Sequence, residues 1–317
     1  NQLPNDNKIK VLEITSLDES ESLHQATDRA FRLPQDTLSE EGWQLSVPEV
    51  RALMDKLKAA GKPLGEMVEI YRGVTTGFNE AFVIDEETRA RLIAADPKSA
   101  EVIEPWLRGR DVKRWQIEWS QLYVIFSRQG IDIGVYPAIK EHLEQFKEDL
   151  MPKQNNKQKR GRKPGNYRWH ELQDITAYYA EFEKPKIIWA KYGIEPAFAL
   201  DKTGFYFANT VFLLVSDDMN WLALLNSRVV QWFAKQTFNI VRGGYVEWIP
   251  ANISQIPIPA PPAPLYQQVV ILTQQCLEAA QNDPDRLPAL EAELNALVYE
   301  AYGLDDDDIA VIEGNLS

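Results

Sequence analysis

The stretch Tyr71-Arg-Gly-Val-Thr-Thr-Gly-Phe-Asn-Glu-Ala-Phe-Val-Ile84 decides the fold class, because it places two short apolar runs on either side of a glycine-containing loop. We predict strands at 68–72 and 81–84 that flank this loop. Its side chains Arg72, Thr75, Thr76 and Asn79 carry donors and acceptors that suit phosphate oxygens or base edges. The two glycines could equally serve only to shape a tight turn, so the loop alone leaves both interpretations open.

Outward from this loop, strand and helix patterns alternate irregularly along the chain. Further strands are predicted at 122–126, 186–192, 197–200 and 211–215, and helices at 86–95, 137–150 and 219–235. Upstream, a helix capped by Ser46 is expected to run to Gly61. These patterns predict an α+β fold, in which a mixed or antiparallel sheet carries peripheral helices.

The strongest boundary in the sequence is Ile256-Pro-Ile-Pro-Ala-Pro-Pro-Ala-Pro264, where five prolines force an extended segment. Helical periodicity follows over 265–280 and 290–301, and a short last helix is expected at 309–313. We therefore predict a C-terminal helical hairpin and divide the chain into residues 1–62, 63–259 and 260–317.

Composition excludes several classes of protein. The 317 residues include one cysteine, Cys276, so an internal disulfide is impossible and a reducing, cytoplasmic location is expected. No apolar stretch approaches the roughly 20 residues that span a bilayer. The chain begins at Asn1 without a methionine, which we interpret as a fragment of a longer polypeptide. Its 34 basic and 47 acidic residues give a net charge of -13, which argues against a general nucleic-acid coat.

The basic residues are nevertheless concentrated in one place. Residues 151–170 carry a charge of +7 and contain no Asp or Glu. Such a block concentrates attraction for phosphate at one point, and we interpret it as a DNA-gripping loop. A solvated loop without a ligand is the alternative. The candidate contacts in this block are Lys157, Lys159, Arg160, Arg162 and Lys163.

Two further clusters combine arginine with aromatic residues. Pro105–Trp115 places Arg108, Arg110, Lys113 and Arg114 between two tryptophans, and Ile240–Trp248 places Arg242 and Tyr245 around a Gly-Gly turn. Guanidinium groups can bind guanine or phosphate, although Arg110 beside an aspartate could form an internal ion pair and the Gly-Gly turn could be a plain hairpin. Together with the basic block, these clusters favour nucleic-acid binding.

The residues needed for catalysis are missing. The three histidines are far apart and Cys276 lacks a cysteine partner, so no zinc spacing exists, and no glycine-rich phosphate loop is present. The chain also lacks the Asn/Asp-Pro-Pro-aromatic tetrapeptide of amino-methyltransferases. We predict no catalytic, cofactor-binding or metal-binding residue. A cryptic Mg-dependent nuclease around Asp111-Val-Lys113, with Glu101 or Glu104, is the enzymatic alternative.

Several motifs, in this order, resemble the TaqI-like C-terminal specificity domain. They are Tyr71–Ile84, Leu107-Arg-Gly-Arg-Asp-Val-Lys-Arg114, Lys184-Pro-Lys-Ile-Ile-Trp-Ala190, Phe207-Ala-Asn-Thr-Val211, Leu222-Ala-Leu-Leu-Asn-Ser227, Gly243-Gly-Tyr245 and Ile256-Pro-Ile-Pro259. In that family the domain recognises the DNA target of adenine-N6 DNA methyltransferases and of type IIG enzymes, which fuse nuclease, methyltransferase and recognition domains.

The resemblance implies a division of labour between this chain and an absent N-terminal half. Residues 63–259 would form the target-recognition domain, 1–62 would connect it to a methyltransferase, and 260–317 would be its helical end. S-adenosylmethionine, and Mg where a nuclease is fused, would bind the parent enzyme, while double-stranded DNA would be the partner of this chain. Lys191 and Tyr192 join the candidate contacts on this basis. A protein-docking module of a phage-defence system is the non-enzymatic alternative.

Overall fold

The computed structural model describes residues 8–12, 27, 30–34, 47–155, 157–174 and 177–316. Fifteen strands occur in these ranges. They are β1 (Lys8–Val11), β2 (Phe31–Pro34), β3 (Gly61–Pro63), β4 (Ile70–Arg72), β5 (Val83–Asp85), β6 (Ile103–Leu107), β7 (Leu122–Ile125), β8 (Lys186–Ala190), β9 (Tyr192–Gly193), β10 (Phe198–Asp201), β11 (Tyr206–Phe207), β12 (Val211–Leu214), β13 (Ile240–Val241), β14 (Tyr245–Glu247) and β15 (Pro257–Pro259).

Eleven α-helices occur in the same described ranges. They are α1 (Pro48–Ala60), α2 (Asn79–Phe82), α3 (Glu86–Ala95), α4 (Pro137–Glu144), α5 (Lys147–Leu150), α6 (Met219–Leu225), α7 (Arg228–Thr237), α8 (Pro250–Ile253), α9 (Ala263–Asn282), α10 (Leu287–Ala301) and α11 (Asp306–Leu316). The predicted α+β class with mixed sheets is confirmed. Among the described residues, no helix is long and apolar enough to cross a membrane.

Two four-stranded sheets form the centre of the fold. The first has the order β10-β8-β12-β4 and is antiparallel throughout; the second has the order β11-β6-β7-β5, in which only the β11–β6 pair is parallel. Three small sheets surround them: β1-β2, β13-β14-β9 and β15-β3. The last pairs the first prolines of the proline-rich segment with residues directly after α1.

Strand alternation lets the first sheet separate two hydrophobic cores. Ile187 and Trp189 of β8 face a core built with α1 and the helices that follow β12, whereas Ile188 between them faces a core shared with the second sheet. Successive side chains of a strand point to opposite faces, so one apolar strand supplies both cores. The C-terminal helices therefore pack on the first sheet rather than apart from it.

Several predicted elements differ in detail from the structure. Ala81 and Phe82, predicted as strand, belong to α2, and the helix predicted over 137–150 is two helices. The helix predicted over 219–235 ends at Leu225, because the Asn226 side chain bonds both the N–H and the carbonyl of Phe198 while Ser227 caps α7. Val47 occupies the N-cap of α1 without a side-chain bond, and the predicted cap Ser46 lies outside the described residues.

Candidate nucleic-acid interface

The loop between β4 and α2 lies directly against the turn between β11 and β12. The Gly73 N–H donates to Val211 O at 2.9 Å and the Val74 N–H donates to Phe207 O at 2.7 Å. A Cβ atom on Gly73 would lie 2.2 Å from Ala208 O, so only glycine permits this approach. The contact brings the loop 73–79 and the residue Asn209 to one surface.

A third segment, residues 162–174, is fixed to the same loop by a buried arginine. Arg162 is 3% exposed, and its five N–H donors are all used on backbone carbonyls. Its acceptors are Thr76 O at 2.9 Å, Leu150 O at 2.8 Å, Arg168 O at 3.2 Å, Trp169 O at 2.9 Å and Glu171 O at 2.7 Å. Burial lowers the pKa of Arg162 to about 10, which still leaves the guanidinium charged near neutral pH.

Backbone bonds complete this attachment. The N–H groups of Gln173 and Asp174 both donate to Thr75 O, at 3.1 Å and 3.3 Å, and Gly77 adopts a φ of 80° with Gln173 and Arg162 packed against it. A positive φ is accessible to glycine at no steric cost. The loop predicted from the first motif and the basic block predicted separately are thus parts of one structure.

These segments enclose an open cavity of about 650 Å³. Arg72, Thr75 and Lys163 line it, and four amide side chains join them: Gln129, Asn166, Gln173 and Asn209. Smaller clefts meet this cavity at Asn209, one along Val74–Glu80 and one that extends past Thr210 to Lys191 and Ile249. We call this continuous surface, lined by residues of all three clefts, the amide groove.

The amide groove holds several of the predicted DNA contacts. Arg72 pairs with Asp174 at 3.0 Å across the groove, and half of its side-chain surface stays exposed. Thr76 is buried and donates its hydroxyl to Asn79 at 2.5 Å, so it supports the loop from beneath. The buried hydroxyl oxygen of Thr75 has no hydrogen-bond partner in the described part of the chain.

The basic loop places its charges unevenly. This loop is the basic block 151–170. Backbone hydrogen bonds from Lys153 to Arg162 and from Arg162 to Met151 close its base. Lys157 and Lys159, which lie between these residues, and Lys163, which follows them, are exposed. None of these three lysines forms an ion pair with a described residue. Arg160 instead forms ion pairs with Asp149 and Glu148 of α5, and these carboxylates raise the pKa of its guanidinium above the ordinary value.

Arg162 departs from the sequence prediction. It was predicted as a DNA contact on charge alone, but its side chain is buried under the loop and has no donor left for a phosphate. A guanidinium offers five donors in a fixed plane, which suits the bonding of several carbonyls at once. Arg162 therefore shapes the interface from inside.

The cluster 108–114 is used mainly within the fold. Arg108 forms two bonds to the buried carboxylate of Asp111 and one to Ser120. Burial on its own would raise the pKa of Asp111, but the bonds from Arg108 and Ser120 outweigh burial and lower that pKa. Lys113 lies 3.7 Å from Glu118, and Arg110 is exposed without an ion pair in the described part of the chain.

Arg114 connects the segment before β7 to the C-terminal helices. Its guanidinium bonds Glu291 of α10, which also accepts the indole N–H of Trp115 at 2.6 Å. Trp115 has a φ of 69°, an uncommon backbone conformation for a bulky residue, and its N–H donates to Phe198 O at 3.0 Å. In this structure Arg114 therefore binds protein rather than facing solvent.

The remaining predicted contacts lie on the small sheet β13-β14-β9. Tyr192 of β9 is paired in register with Glu247 of β14, and Tyr245 lies two residues before Glu247 on β14. The three side chains therefore share a face. Lys191 pairs with Glu247 at 3.2 Å, and a hydrogen bond with Tyr192, followed by the one with Glu247, raises the Lys191 pKa. Arg242 is exposed at the hairpin turn.

This sheet is unusually apolar for a surface. Tyr192, Ile194, Ile240 and Tyr245 are each at least 45% exposed. Gly243 and Gly244 form the turn with φ values of 85° and 77°, and nothing lies within 4 Å of a Cβ on Gly244. Lys191, which pairs with Glu247 of this sheet, also lines one end of the amide groove. The exposed hairpin therefore lies at that end of the groove.

The predicted nuclease centre is not assembled. The carboxylate of Asp111 accepts hydrogen bonds from Arg108 and Ser120. Lys113 lies beside Glu118, which was not one of the predicted nuclease carboxylates. No group of three or more His, Cys, Asp or Glu in the described residues could hold a metal ion. The four groove amides are the functional candidates that the sequence analysis missed. Their one signal was Asn209, which lies in the quoted motif Phe207–Val211.

Comparison with known families agrees with this geometry. Residues 104–258, just under half of the chain, match the TaqI-like C-terminal specificity domain. The resemblance drawn from the motifs is therefore confirmed for this segment. The matched segment contains Asn209, the amides Gln129, Asn166 and Gln173, and the hairpin, but begins after the loop 73–79. None of the curated proteins compared with the sequence matches it.

One solved structure with a TM-score above 0.5 shows that the fold is shared. The type IIL restriction-modification enzyme MmeI in complex with DNA matches with a TM-score of 0.60 at 12% identity, covering 79% of this chain and 35% of MmeI. The type IIG restriction endonuclease BpuSI matches with a TM-score of 0.45 at 12% identity, covering 86% of this chain and 36% of BpuSI. The chain thus spans about a third of the length of these enzymes.

Proposed function

We propose that this chain recognises the DNA target sequence of a restriction-modification enzyme, with double-stranded DNA lying along the amide groove. The observation that carries the proposal is the meeting of the loop 73–79, the segment 162–174 and the Asn209 turn in one open groove, which is lined by free amides and by Lys163. The membership of residues 104–258 in a specificity-domain family supports it.

The basic loop supplies the sequence-independent part of binding. Lys157, Lys159 and Lys163 are exposed, and none of them is paired with a carboxylate among the described residues. A phosphate that binds them therefore displaces only water and counterions. Each phosphate that a lysine neutralises releases a condensed counterion and adds about 0.9 to the slope of log affinity against log salt. This part of the affinity should therefore be strongly salt-dependent.

The amides supply the sequence-dependent part. Asparagine and glutamine can bond the N6 and N7 positions of adenine with a donor and an acceptor at once, which distinguishes adenine from other bases by about 1–3 kcal/mol. The side chains of Gln129, Asn166 and Asn209 form no hydrogen bond with another described residue. Gln173 is held through its backbone by Thr75, so its side chain projects from a fixed position.

The hairpin at the end of the groove adds contacts of another kind. Arg242 and Tyr245 flank two glycines whose backbone is open to approach, and the neighbouring Tyr192 is exposed beside Lys191. An arginine with aliphatic and aromatic neighbours suits the minor groove better than base-edge reading in the major groove. The hairpin is thus proposed to contact the duplex beyond the bases that the amides recognise.

Catalysis is proposed to belong to the part of the parent enzyme that this chain does not include. That part would bind S-adenosylmethionine and methylate adenine at N6, and a fused nuclease, where present, would use Mg. Asp111 at the predicted nuclease position is held by Arg108 and Ser120, and the described residues form no group of three or more His, Cys, Asp or Glu that could hold a metal ion. A cytoplasmic location, which suits a DNA-modifying enzyme with one cysteine, is part of the same proposal.

The test is selection of duplexes from a randomised pool by the intact chain at low salt, followed by salt titration of the enriched duplex. We expect an enriched motif of a few base pairs that contains at least one A·T pair, and an affinity that falls steeply as salt rises. Binding that is equal for all sequences would contradict recognition through the amides. No binding by this chain or by the full-length parent enzyme would overturn the proposal.

Two sets of variants separate the sequence-independent contribution of the lysines from the sequence-dependent contribution of the amides. Replacing Lys157, Lys159 and Lys163 by Ala should reduce the salt slope by up to about 3 and weaken binding equally for all sequences. Replacing Asn209 or Gln173 by Ala should weaken binding to the enriched duplex by about 1–3 kcal/mol and leave non-specific binding unchanged. The matched control replaces Lys58, Lys62 and Arg286, three exposed cations outside the groove, and should change neither property.

A further inference from the structure

Beside the amide groove lies a second and larger cavity, of about 810 Å³. It shares Gln129 and Asp174 with the groove, but its lining has the opposite charge, with five carboxylates and one guanidinium. A surface of this charge repels phosphate, so DNA binding does not explain it. Its walls include the rings of Phe126, Tyr179 and Tyr206.

Two neighbouring carboxylates of this cavity, those of the half-buried Glu104 and the exposed Glu183, lack a partner. Glu104 is half-buried and forms no hydrogen bond or ion pair with any described residue, and the nearby carboxylate of Glu183 is likewise unpaired. Burial, and then the charge of Glu183, raises the pKa of Glu104. A partly buried charge is normally paired, because its desolvation is otherwise uncompensated.

The hydroxyl of a buried tyrosine lies near the same two carboxylates. Tyr206 is 2% exposed, lines the cavity, and has no hydrogen-bond partner for its hydroxyl among the described residues. Burial and the charges of Glu104 and Glu183 raise the pKa of that hydroxyl. An unpartnered oxygen next to two unpartnered carboxylates is an acceptor set that a ligand with several N–H donors would satisfy.

The aromatic walls indicate what kind of donor fits. The rings of Phe126 and Tyr206 meet edge to face with centroids 4.8 Å apart, and Tyr179 lies 5.8 Å from Phe126. Tyr179 already binds one cation, since the Arg128 guanidinium lies 5.1 Å from its ring centroid. Aromatic faces combined with carboxylates bind organic ammonium groups, whereas inorganic divalent ions need several close oxygen ligands. No such metal-binding group occurs in the described residues.

We propose that this cavity binds a small organic polycation, such as an aliphatic diamine or polyamine, with one ammonium group between Glu104, Glu183 and the Tyr206 hydroxyl. The alkyl stem lies against the aromatic walls, and the exposed carboxylates of Glu101 and Asp132, which form no ion pair with a described residue, bind the next ammonium group. Glu104, Glu183 and Tyr206 do not line the amide groove, and the proposal does not require that the chain bind DNA.

Calorimetric titration of the intact chain with spermidine, without DNA, tests the proposal. Saturable binding of one spermidine is expected, and Glu104→Gln with Glu183→Gln should weaken it about tenfold or more. Tyr206→Phe removes only the hydroxyl oxygen and should weaken binding about threefold while leaving the core filled. This milder variant keeps the test informative if the double variant unfolds.

The matched control is Asp306→Asn with Asp307→Asn, which removes the same charge from an exposed acidic run at the start of α11. Its spermidine affinity should equal that of the unchanged chain. Absence of saturable binding, or an equal loss of affinity in the control, would overturn the proposal. Because DNA is not present, failure of the groove proposal and failure of this one give different results.

Discussion

Replacing Arg162 by Met should separate the segment 162–174 from the loop 73–79 and so dismantle the amide groove. Methionine fills much of the same volume but donates no hydrogen bond, so five backbone carbonyls lose their donor. Hydrogen bonds to a charged group contribute about 1.5–3 kcal/mol each, and water will replace some of them. Removing the buried charge recovers part of the loss, which leaves an expected destabilisation of about 3–5 kcal/mol.

Urea unfolding, combined with hydrogen exchange, measures both parts of this prediction. The unfolding midpoint of Arg162→Met should fall, and the amides of Gln173 and Asp174, which bond Thr75 O, should exchange faster than those of the distant strand β8. Affinity for the enriched duplex should also fall, although Arg162 cannot reach DNA. Arg160→Met is the matched control, because Arg160 is exposed and should leave the midpoint and these amides unchanged. An unchanged midpoint in Arg162→Met would refute the structural role.

Three further predictions concern the support of the fold. Asp201→Asn should lower the free energy of unfolding in urea by about 3–5 kcal/mol, because it removes the counter-charge of Lys186; the two side chains are fully buried and their charged atoms lie 2.5 Å apart. An unaltered urea midpoint would refute this. Burial lowers the pKa of His142, so the unfolded chain binds a proton first as pH falls below about 6.5, and stability should decline there. Thermal unfolding from pH 7.5 to 5 should show a weaker decline in His142→Gln, and equal curves would contradict the assignment. Gly73→Ala should lower the melting temperature by an amount equivalent to about 2 kcal/mol, since its Cβ would overlap a backbone oxygen 2.2 Å away, whereas Gly314→Ala, which meets no atom within 4 Å, should not lower it.

The sequence was sufficient for the parts of the fold that depend on local patterns. Apolar periodicity placed α3 at its observed bounds and predicted β7, β8, β10 and β12 to within two residues at each end. It failed where a distant residue decides the local structure. The break between α6 and α7 depends on Asn226 bonding the backbone of Phe198, a contact that no local pattern contains. The division of the 137–150 helix at Gln145–Phe146 was also not predictable from periodicity.

The candidate site divides in the same way. The loop 73–79 and the basic block were both identified, but their attachment through Arg162 was not, because composition does not distinguish a buried arginine from an exposed one. The amides were overlooked because Asn and Gln occur throughout surface loops and carry no charge signal. Their importance becomes visible only when Gln129, Asn166, Gln173 and Asn209, which are distant in sequence, line one cavity.

The distribution of charge explains how a chain of net charge -13 can have a basic surface that suits the proposed binding of DNA. Of the seven basic residues in 151–170, Arg160 is paired with α5 and Arg162 is buried, which leaves five cations in this block, of which Lys163 lines the groove. Repulsion from the acidic remainder is screened beyond a Debye length of about 8 Å at physiological salt, whereas close contacts with phosphate are not. The acidic cavity beside the groove lies within that range, at Asp174 and Gln129. Its carboxylates should therefore weaken DNA binding, and their neutralisation in Glu104→Gln with Glu183→Gln should tighten it more than the same change at Asp306 and Asp307.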